Sequence, residues 1–501
     1  KMKARSLLKG KIPSSRSFSP SRSKKKMTTD ANQPDSPVAA VTDHMTKLQA
    51  AGSWDTDELS YDKHHAGEAK AKKESADGRP SLEDHHKGIF SIRLLHKQHK
   101  EKTHPLDWGY PGEMSKEEVD CFLKFREEVE KRGGEFKKTI YSFGEIEGEA
   151  WALTRWLRAR KFVYDDVIKM VEEATECRQE PGKQGFYPDP VAALGVDPFV
   201  YIQQYPQLYS GNAKSGCPLF ISKPGKLSVD GMECITTLDG IYRYHWHVMM
   251  HDYANRLVVN KKANPEFTRF QCVCVLDLDG LSASNITKRA LNIIQKQTEI
   301  DSLCFPETME RMVVINVPRF FALTWRLIKG WIDPRTAGKI ELISGRKQWE
   351  ARLKELVDID QLPSDYGGKS EDTDTTLMKT APSGMIRQTT DLWHVSAHHH
   401  HNFEIGANEE VDVVVYTRGT SGATFSIADK DHKGETFVSG VDVIHTGKAD
   451  DENEHPTNVK LTSDERIAGP SHIKIKADSK SGRFAKTETF LIVLNFYPKS
   501  S

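Results

Sequence analysis

"FPETMERMVVINVPRFFALTWRLIKGWIDPRTAGKIELI", residues 305 to 343, is the stretch whose reading decides the fold. "MVVINV" has the β-branched density of a short buried strand, and Pro318 ends it. The spacing then predicts a helix over 319–331 that is apolar nearly all round: Phe320, Phe321, Leu323, Trp325, Leu327, Ile328 and Trp331. Its charges are Arg319, Arg326 and Lys329. A helix without a polar face is either wholly buried or set against something apolar. Total burial would strand three cations away from water. A helix that covers an apolar cavity and also lies in a membrane interface meets both conditions. An ordinary core helix with its cations reaching out to solvent is the other reading.

Working outward, short apolar runs at 218–222, 270–276, 311–317 and 339–344 read as strands. Helical periodicity lies between and after them, at about 233–257, 284–302, 319–331 and 346–357. That alternation predicts an α/β domain with a mostly parallel sheet. Upstream, from 115 to about 180, the pattern is helical. Ser115 and Glu118 form a Ser-x-x-Glu capping box, and Gly133-Gly134 ends that helix. A later helix is expected to start at Asp165 or Asp166 and to bury Val167, Met170, Val171 and Ala174. Between them, "WALTRWLRARKF" (151–162) places Leu153, Trp156 and Leu157 on one helical face. The next positions on that face are Arg160 and Lys161, so an apolar stripe ends in two cations that call for an anion.

Beyond Gly368 comes a polar stretch, "KSEDTDTTLMKTAPSG", read as a linker. The periodicity then becomes two, with strands expected at 411–416, 424–428, 437–445, 472–477 and 489–496. Turn residues between these runs predict a separate all-β sandwich of about a hundred residues. In the run His398–His401 only alternate histidines share a strand face, and no later His cluster completes a metal site. A solvated strand edge is expected there.

Composition sets the remaining bounds. The 501 residues exceed what one core serves, and two or three domains are expected. Formal charge is balanced at 71 basic and 71 acidic residues, yet Lys1–Thr29 holds ten Lys or Arg and no acid. Residues 1 to about 105 lack the large apolar side chains that offset chain entropy and are expected to be disordered. Their Arg- and Ser-rich start reads as a basic tail or an organelle transit peptide. Phosphate groups on "SRSFSPSRSKKK" (15–26) would switch its attraction to membranes. Seven cysteines (121, 177, 217, 234, 272, 274 and 304), odd in number and sparse, fit reduced thiols in the cytosol. The best apolar run, 312–325, is too short and too interrupted to span a bilayer. No Gly-x-Ser-x-Gly, P-loop, His-Glu-x-x-His or Cys-x-x-Cys motif occurs, so no enzyme and no cofactor is expected.

These motifs together resemble the CRAL-TRIO lipid-binding family. "LTRWLRARKF" with its following helix resembles the family's N-terminal helical lobe, and "VLDLDGLS" its Asp-Leu-x-Gly strand end. "FPETMERMVVINVPRFF…WIDPRTAGKI" with "LPSDYGGK" looks like its pocket and gate segment, in the phosphatidylinositol-transfer branch. The resemblance implies a phosphatidylinositol headgroup held by Arg160, Lys161, Glu307, Thr336 and Lys339, under a gate helix carrying Phe320, Phe321, Trp325, Ile328 and Trp331. Cations and a hydroxyl suit a phosphodiester, and a carboxylate accepts from inositol hydroxyls. Phosphatidylcholine-binding members carry a Ser and a Thr on the strand before Asp-Leu-x-Gly, and two tyrosines upstream. Here those positions are Cys272, Cys274, Tyr209 and Phe220. The second-lipid pocket is therefore expected along Tyr209, Phe220, Phe270, Cys272, Cys274 and Leu276, drier than usual and suited to a sterol or another apolar lipid. A Cys-x-Cys metal or redox site is the rival there.

The expected organisation is a mostly disordered basic tail at 1–110, a helical lobe at 111–185 and a CRAL-TRIO α/β lipid-binding domain at 186–370. A linker at 371–392 and a β-sandwich resembling a GOLD domain at 393–501 follow. The expected activity is non-enzymatic transfer or presentation of phosphatidylinositol, by a cytoplasmic protein that visits membrane surfaces and binds no nucleic acid. A lipid-sensing adaptor whose sandwich recruits protein partners, or a carrier of a sterol or tocopherol, is the alternative. Exposing two acyl chains of about sixteen carbons to water would cost about 25 kcal/mol at roughly 0.8 kcal/mol per methylene. Exchange must therefore occur against a bilayer.

Overall fold

The computed structural model describes residues 108–500 apart from 433–434, 449–453, 464 and 481–486, and leaves out the side chains of 145, 327 and 331. The expected disorder of 1–105 and the segment 15–26 lie outside the described residues. Among the described residues no helix is long and apolar enough to cross a membrane.

The helical lobe opens with α1 (Lys116–Arg132), capped by Ser115 in the reciprocal bond with Glu118. Gly133, at φ 56°, turns the chain into α2 (Gly134–Ile140). Helix α3 (Glu149–Ala159) buries Leu153, Trp156 and Leu157 as expected. Helix α4 (Tyr164–Cys177) buries the expected stripe, but its N-cap is Val163, without a side-chain bond. Asp165 and Asp166 sit inside the first turn, where they face the positive helix end instead of capping it. Short helices α5 (Gln179–Lys183), α6 (Pro190–Leu194) and α7 (Pro198–Gln204) follow, the last two capped by Asp189 and Asp197 with proline just inside.

Five strands form the central sheet in the order β1-β2-β3-β4-β5: Gln207–Asn212, Pro218–Ser222, Cys272–Asp277, Met309–Ile315 and Ile340–Ile343. Strands β2 to β5 are mutually parallel, and β1 adds antiparallel to β2. The helix expected over 233–257 is divided into α8 (Val229–Ile235), α9 (Leu238–His247), a π-helical turn at Val248–Tyr253 and α10 (Ala254–Ala263). Thr236 and Thr237 break it: one hydroxyl bonds the Leu194 carbonyl, and the other caps α9 through Gly240 N. Helices α11 (Lys288–Cys304), α12 (Phe321–Trp331), α13 (Pro334–Ala337) and α14 (Arg346–Leu356) complete this part.

The two faces of the sheet differ. Leu219, Ile221, Val273, Val275, Val313 and Ile315 alternate onto one face, and none exceeds 1% exposure. On the other face Phe220, Cys272, Leu276, Met312, Ile340 and Leu342 are equally apolar but only half-buried. One side is sealed core. The other is a greasy wall with incomplete cover.

The stretch expected as a linker carries α15 (Thr373–Met378), capped by Asp372 and docked by the buried Thr373 and Leu377. The β-region that follows consists of two antiparallel sheets. One joins β6 (Arg387–Val395), β8 (Glu409–Thr417), β11 (Thr457–Lys460), β12 (Ile467–Ala468) and β14 (Glu488–Pro498); the other joins β7 (His398–Ile405), β9 (Ala423–Asp429), β10 (Thr436–Val443) and β13 (Ser471–Ser479). Strand β6 begins ahead of residue 393, pairing with β14 from Arg387 onward, and the side chains of Arg387 and Glu409 form a two-pronged pair. His398–His401 lie on β7, an edge strand, with His398 paired to Asp478 and His401 to Asp391. The sandwich is docked on the α/β part. Tyr416, Leu491 and Val493 belong to the same apolar cluster as the sheet, and Cys234 of α8 reaches the Thr489 carbonyl.

Candidate functional site

The acid of "FPE", Glu307, lies just before β4 with φ 60°, a left-handed conformation that is strained for a side chain larger than asparagine. Its Oε2 accepts from Lys339 Nζ at 2.9 Å and from Arg158 Nη2 at 3.2 Å. The Arg158 and Glu307 side chains are 6% and 10% exposed. Burial pulls the Glu307 carboxyl upward, but Lys339 and Arg158 outweigh it and hold the group below its ordinary value. Two cations thus share one anion at a buried point, leaving a net positive charge. Nε and Nη1 of Arg158 are buried and make no hydrogen bond among the described residues. Such groups are costly unless something accepts from them.

Aromatic rings surround this cluster. The Arg158 guanidinium lies 3.9 Å from the Tyr110 ring centre and 5.7 Å from that of Trp108, and the Arg335 guanidinium is 5.4 Å from the Trp108 ring centre. Gln271 bonds both the Tyr110 hydroxyl and the Glu307 carbonyl. Tyr110, expected at the end of a tail, is 2% exposed. Its ring is held by a guanidinium that local sequence does not reveal.

Of the residues expected to hold the headgroup, Glu307 and Lys339 touch directly. Arg160 ends α3 and bonds the Ala159 carbonyl, which Arg335 also approaches at 3.5 Å, so the start of α13 lies beside the end of α3. Thr336 is half-buried within α13, and its carbonyl accepts from Lys339 N. Lys161 is exposed: it and Phe162 take φ 54° and 58°, and that reversal turns the lysine to solvent. The buried cations missed by sequence reading are Arg155 and Arg158, on the side of α3 opposite Leu153 and Trp156. Arg155 is clamped by Glu147 and donates to the Pro306 carbonyl, fixing the approach to Glu307.

The expected second pocket falls on the incompletely covered face. Tyr209 and Phe220 are cross-strand partners with ring centres 5.1 Å apart, and Phe220 neighbours Cys274 in register. Cys272 and Cys274 sulfurs are 3.3 Å apart, and both are free thiols. Burial drives the Tyr209 hydroxyl well above its usual range, although the residue keeps accessible surface. Phe270 does not join this wall: β3 starts at Cys272, so the alternation does not extend back to it, and Phe270 is buried against Phe143 and Phe267.

Over the wall lies α12. Phe321, Trp325 and Ile328 pack on Leu278, Val314 and their neighbours, while Arg326 and Lys329 are exposed. Phe320 is half-buried, and the Trp331 side chain lies outside the described residues. The helix is therefore half-seated, with one side on the sheet and the other open to solvent. A separate cleft of about 610 Å³ is lined by Cys177, Tyr242 and residues of 180–193 and includes none of these groups.

The CRAL/TRIO domain family matches residues 202–368. Phosphatidylinositol/phosphatidylcholine transfer protein SFH9 of Arabidopsis thaliana is 28% identical over 251 residues, covering 48% of this chain and 41% of that protein. SFH4 of the same plant, named likewise, is 31% identical over 179 residues, covering 33% and 27%. SEC14 cytosolic factor of Candida glabrata is 28% identical over 267 residues, covering 52% of this chain and 82% of that protein. The match thus spans less than half the length of the two plant relatives.

Proposed function

We propose that this protein, whose residues 202–368 match the CRAL/TRIO domain family, binds phosphatidylinositol and carries or presents it at membrane surfaces. The observation that carries the reading is the Arg158–Glu307–Lys339 cluster: two buried cations on one carboxylate, with two guanidinium nitrogens that find no acceptor among the described residues. A phosphodiester supplies the missing charge and acceptors, with Arg160, Thr336 and Lys161 at the rim. Glu307 then exchanges part of its ion pairing for inositol hydroxyls.

The acyl chains lie along the half-covered face under α12. The second lipid is apolar with a small head, because Phe220, Cys272 and Cys274 offer little to a choline phosphate. The protein works without catalysis and without a cofactor, as a peripheral visitor to the bilayer. The sandwich, GOLD-like in order and size, serves protein or membrane contacts. The helical lobe, lipid domain and sandwich, at 111–185, 186–370 and 393–501, act as one docked assembly.

Lipid co-purified with the full chain from a eukaryotic host, read by mass spectrometry, tests this. Phosphatidylinositol is expected on the wild type and lost from Lys339→Ala, while a second lipid remains. An unchanged lipid complement in a folded Lys339→Ala variant would overturn the site. Purified protein that moves no labelled phosphatidylinositol between vesicles would replace exchange with the sensing adaptor.

A further inference from the structure

Helix α12 sits on the half-covered face of the sheet through Phe321, Trp325 and Ile328, which pack with Leu276, Leu278, Met312, Val314 and Leu342. Thr324 lies on the same side of the helix, three residues after Phe321 and four before Ile328. It is 2% exposed. Its Oγ1 is buried and makes no hydrogen bond among the described residues. None of the side chains packed in that contact carries an oxygen to meet it.

Other helical threonines show what is missing. Thr139, Thr154, Thr175, Thr298 and Thr376 each donate to the carbonyl four residues back, at 2.6–3.0 Å. For Thr324 that acceptor would be Phe320, the N-cap of α12, and the bond is not made. A buried hydroxyl without a partner costs at least what an ordinary hydrogen bond is worth. The seat of α12 on the sheet is weakened to that extent. A donor and acceptor stand ready for whatever replaces the sheet beneath the helix. Because Oγ1 is buried in this seat, a ligand meets it only when α12 lifts and lipid comes between helix and sheet.

We propose that Thr324 is a specificity-determining residue of the lipid site, its hydroxyl hydrogen-bonding a lone oxygen on the otherwise apolar body of a lipid lying under α12. The inference rests on the reading of this face as a lipid site. The oxygen belongs either to a hydroxyl, as on a sterol-like alcohol, or to an ester carbonyl of phosphatidylinositol. Both are neutral oxygens within hydrocarbon, and both satisfy Thr324. A pure hydrocarbon leaves the hydroxyl unpaired before and after binding, and gains nothing from it.

Thr324→Val separates this role from a merely structural one, because the two side chains share a shape and nearly share a helix propensity. In the lipid-free, full-length variant, hydrogen exchange over 321–331 should slow about 5-fold, since an unsatisfied group has been removed. Lipid uptake should move the opposite way. The chain is incubated with phosphatidylcholine vesicles carrying phosphatidylinositol, cholesterol or cholestane, the last being the ring system without its hydroxyl. It is then re-isolated, and its lipid is measured by mass spectrometry. Retention of cholesterol or of phosphatidylinositol should fall about 5-fold in Thr324→Val and recover in Thr324→Ser, with cholestane unchanged. Loss confined to cholesterol identifies a hydroxyl as the partner, and loss confined to phosphatidylinositol an ester carbonyl. Exchange that is unchanged or faster in the lipid-free variant would overturn the proposal. So would equal retention of all three lipids by wild type and variant, or a loss of cholestane as large as that of the others. A wild type that takes up none of the three lipids overturns the lipid reading as well, which tells the two failures apart.

Discussion

Replacing Glu307 by Gln keeps the shape of the side chain and removes the charge that two cations share. At 2.9 and 3.2 Å from Lys339 Nζ and Arg158 Nη2, each attraction is on the order of 5 kcal/mol gross at an effective dielectric near 20. Desolvation offsets most of this, and removing one member of a buried ion cluster typically costs about 3–5 kcal/mol. Lipid-free Glu307→Gln should lose that much at pH 7, measured by urea denaturation of the full chain. The acid limb supplies the second check. The folded carboxyl sits below its ordinary value, so its stabilisation is complete above the unfolded pKa of about 4.3 and is lost as pH falls through the folded one. Wild type and variant should therefore converge as pH falls below that value. Saturating phosphatidylinositol should also narrow the gap at pH 7, because its phosphate neutralises both cations. A variant as stable as wild type at pH 7, or a deficit that persists unchanged down to pH 3, would refute the electrostatic account of the site.

Two further outcomes follow from the half-covered face. Cys272→Phe should cost less than about 1 kcal/mol in the lipid-free protein and reduce bound lipid, since the ring enters a hollow; a loss of about 1–3 kcal/mol would mark a filled core instead. Trp325→Ser in α12 should cost about 1–2 kcal/mol of stability, because the ring is half-buried. It should also lower vesicle co-sedimentation and transfer rate, and transfer at the wild-type rate would remove α12 as the gate.

Local chemistry explains what was legible in advance. Ser115 with Glu118, the stripe from Val167 to Ala174, and the four parallel strands each depend on neighbours a few residues away. Strand β1 escaped notice because "QLYSGN" is short, polar at both ends and antiparallel to its partner. The division of 233–257 turned on two threonine hydroxyls, one finding a carbonyl in α6 and the other the start of α9. Propensity carries no record of such partners.

By itself, the sequence determined the four parallel strands, the buried stripes and the alternation of the sheet, and a recognisable motif singled out an acid at 307 and a lysine at 339. Tertiary structure decided which cations are buried. Arg155 and Arg158 occupy the face of α3 that an amphipathic pattern assigns to water, and they are buried because Glu147, Pro306, Glu307 and Tyr110 meet them there. Glu307 lies 149 positions along the chain from Arg158. An electrostatic contact of that range depends on where folding brings two charges, and periodicity within a helix holds no information about it.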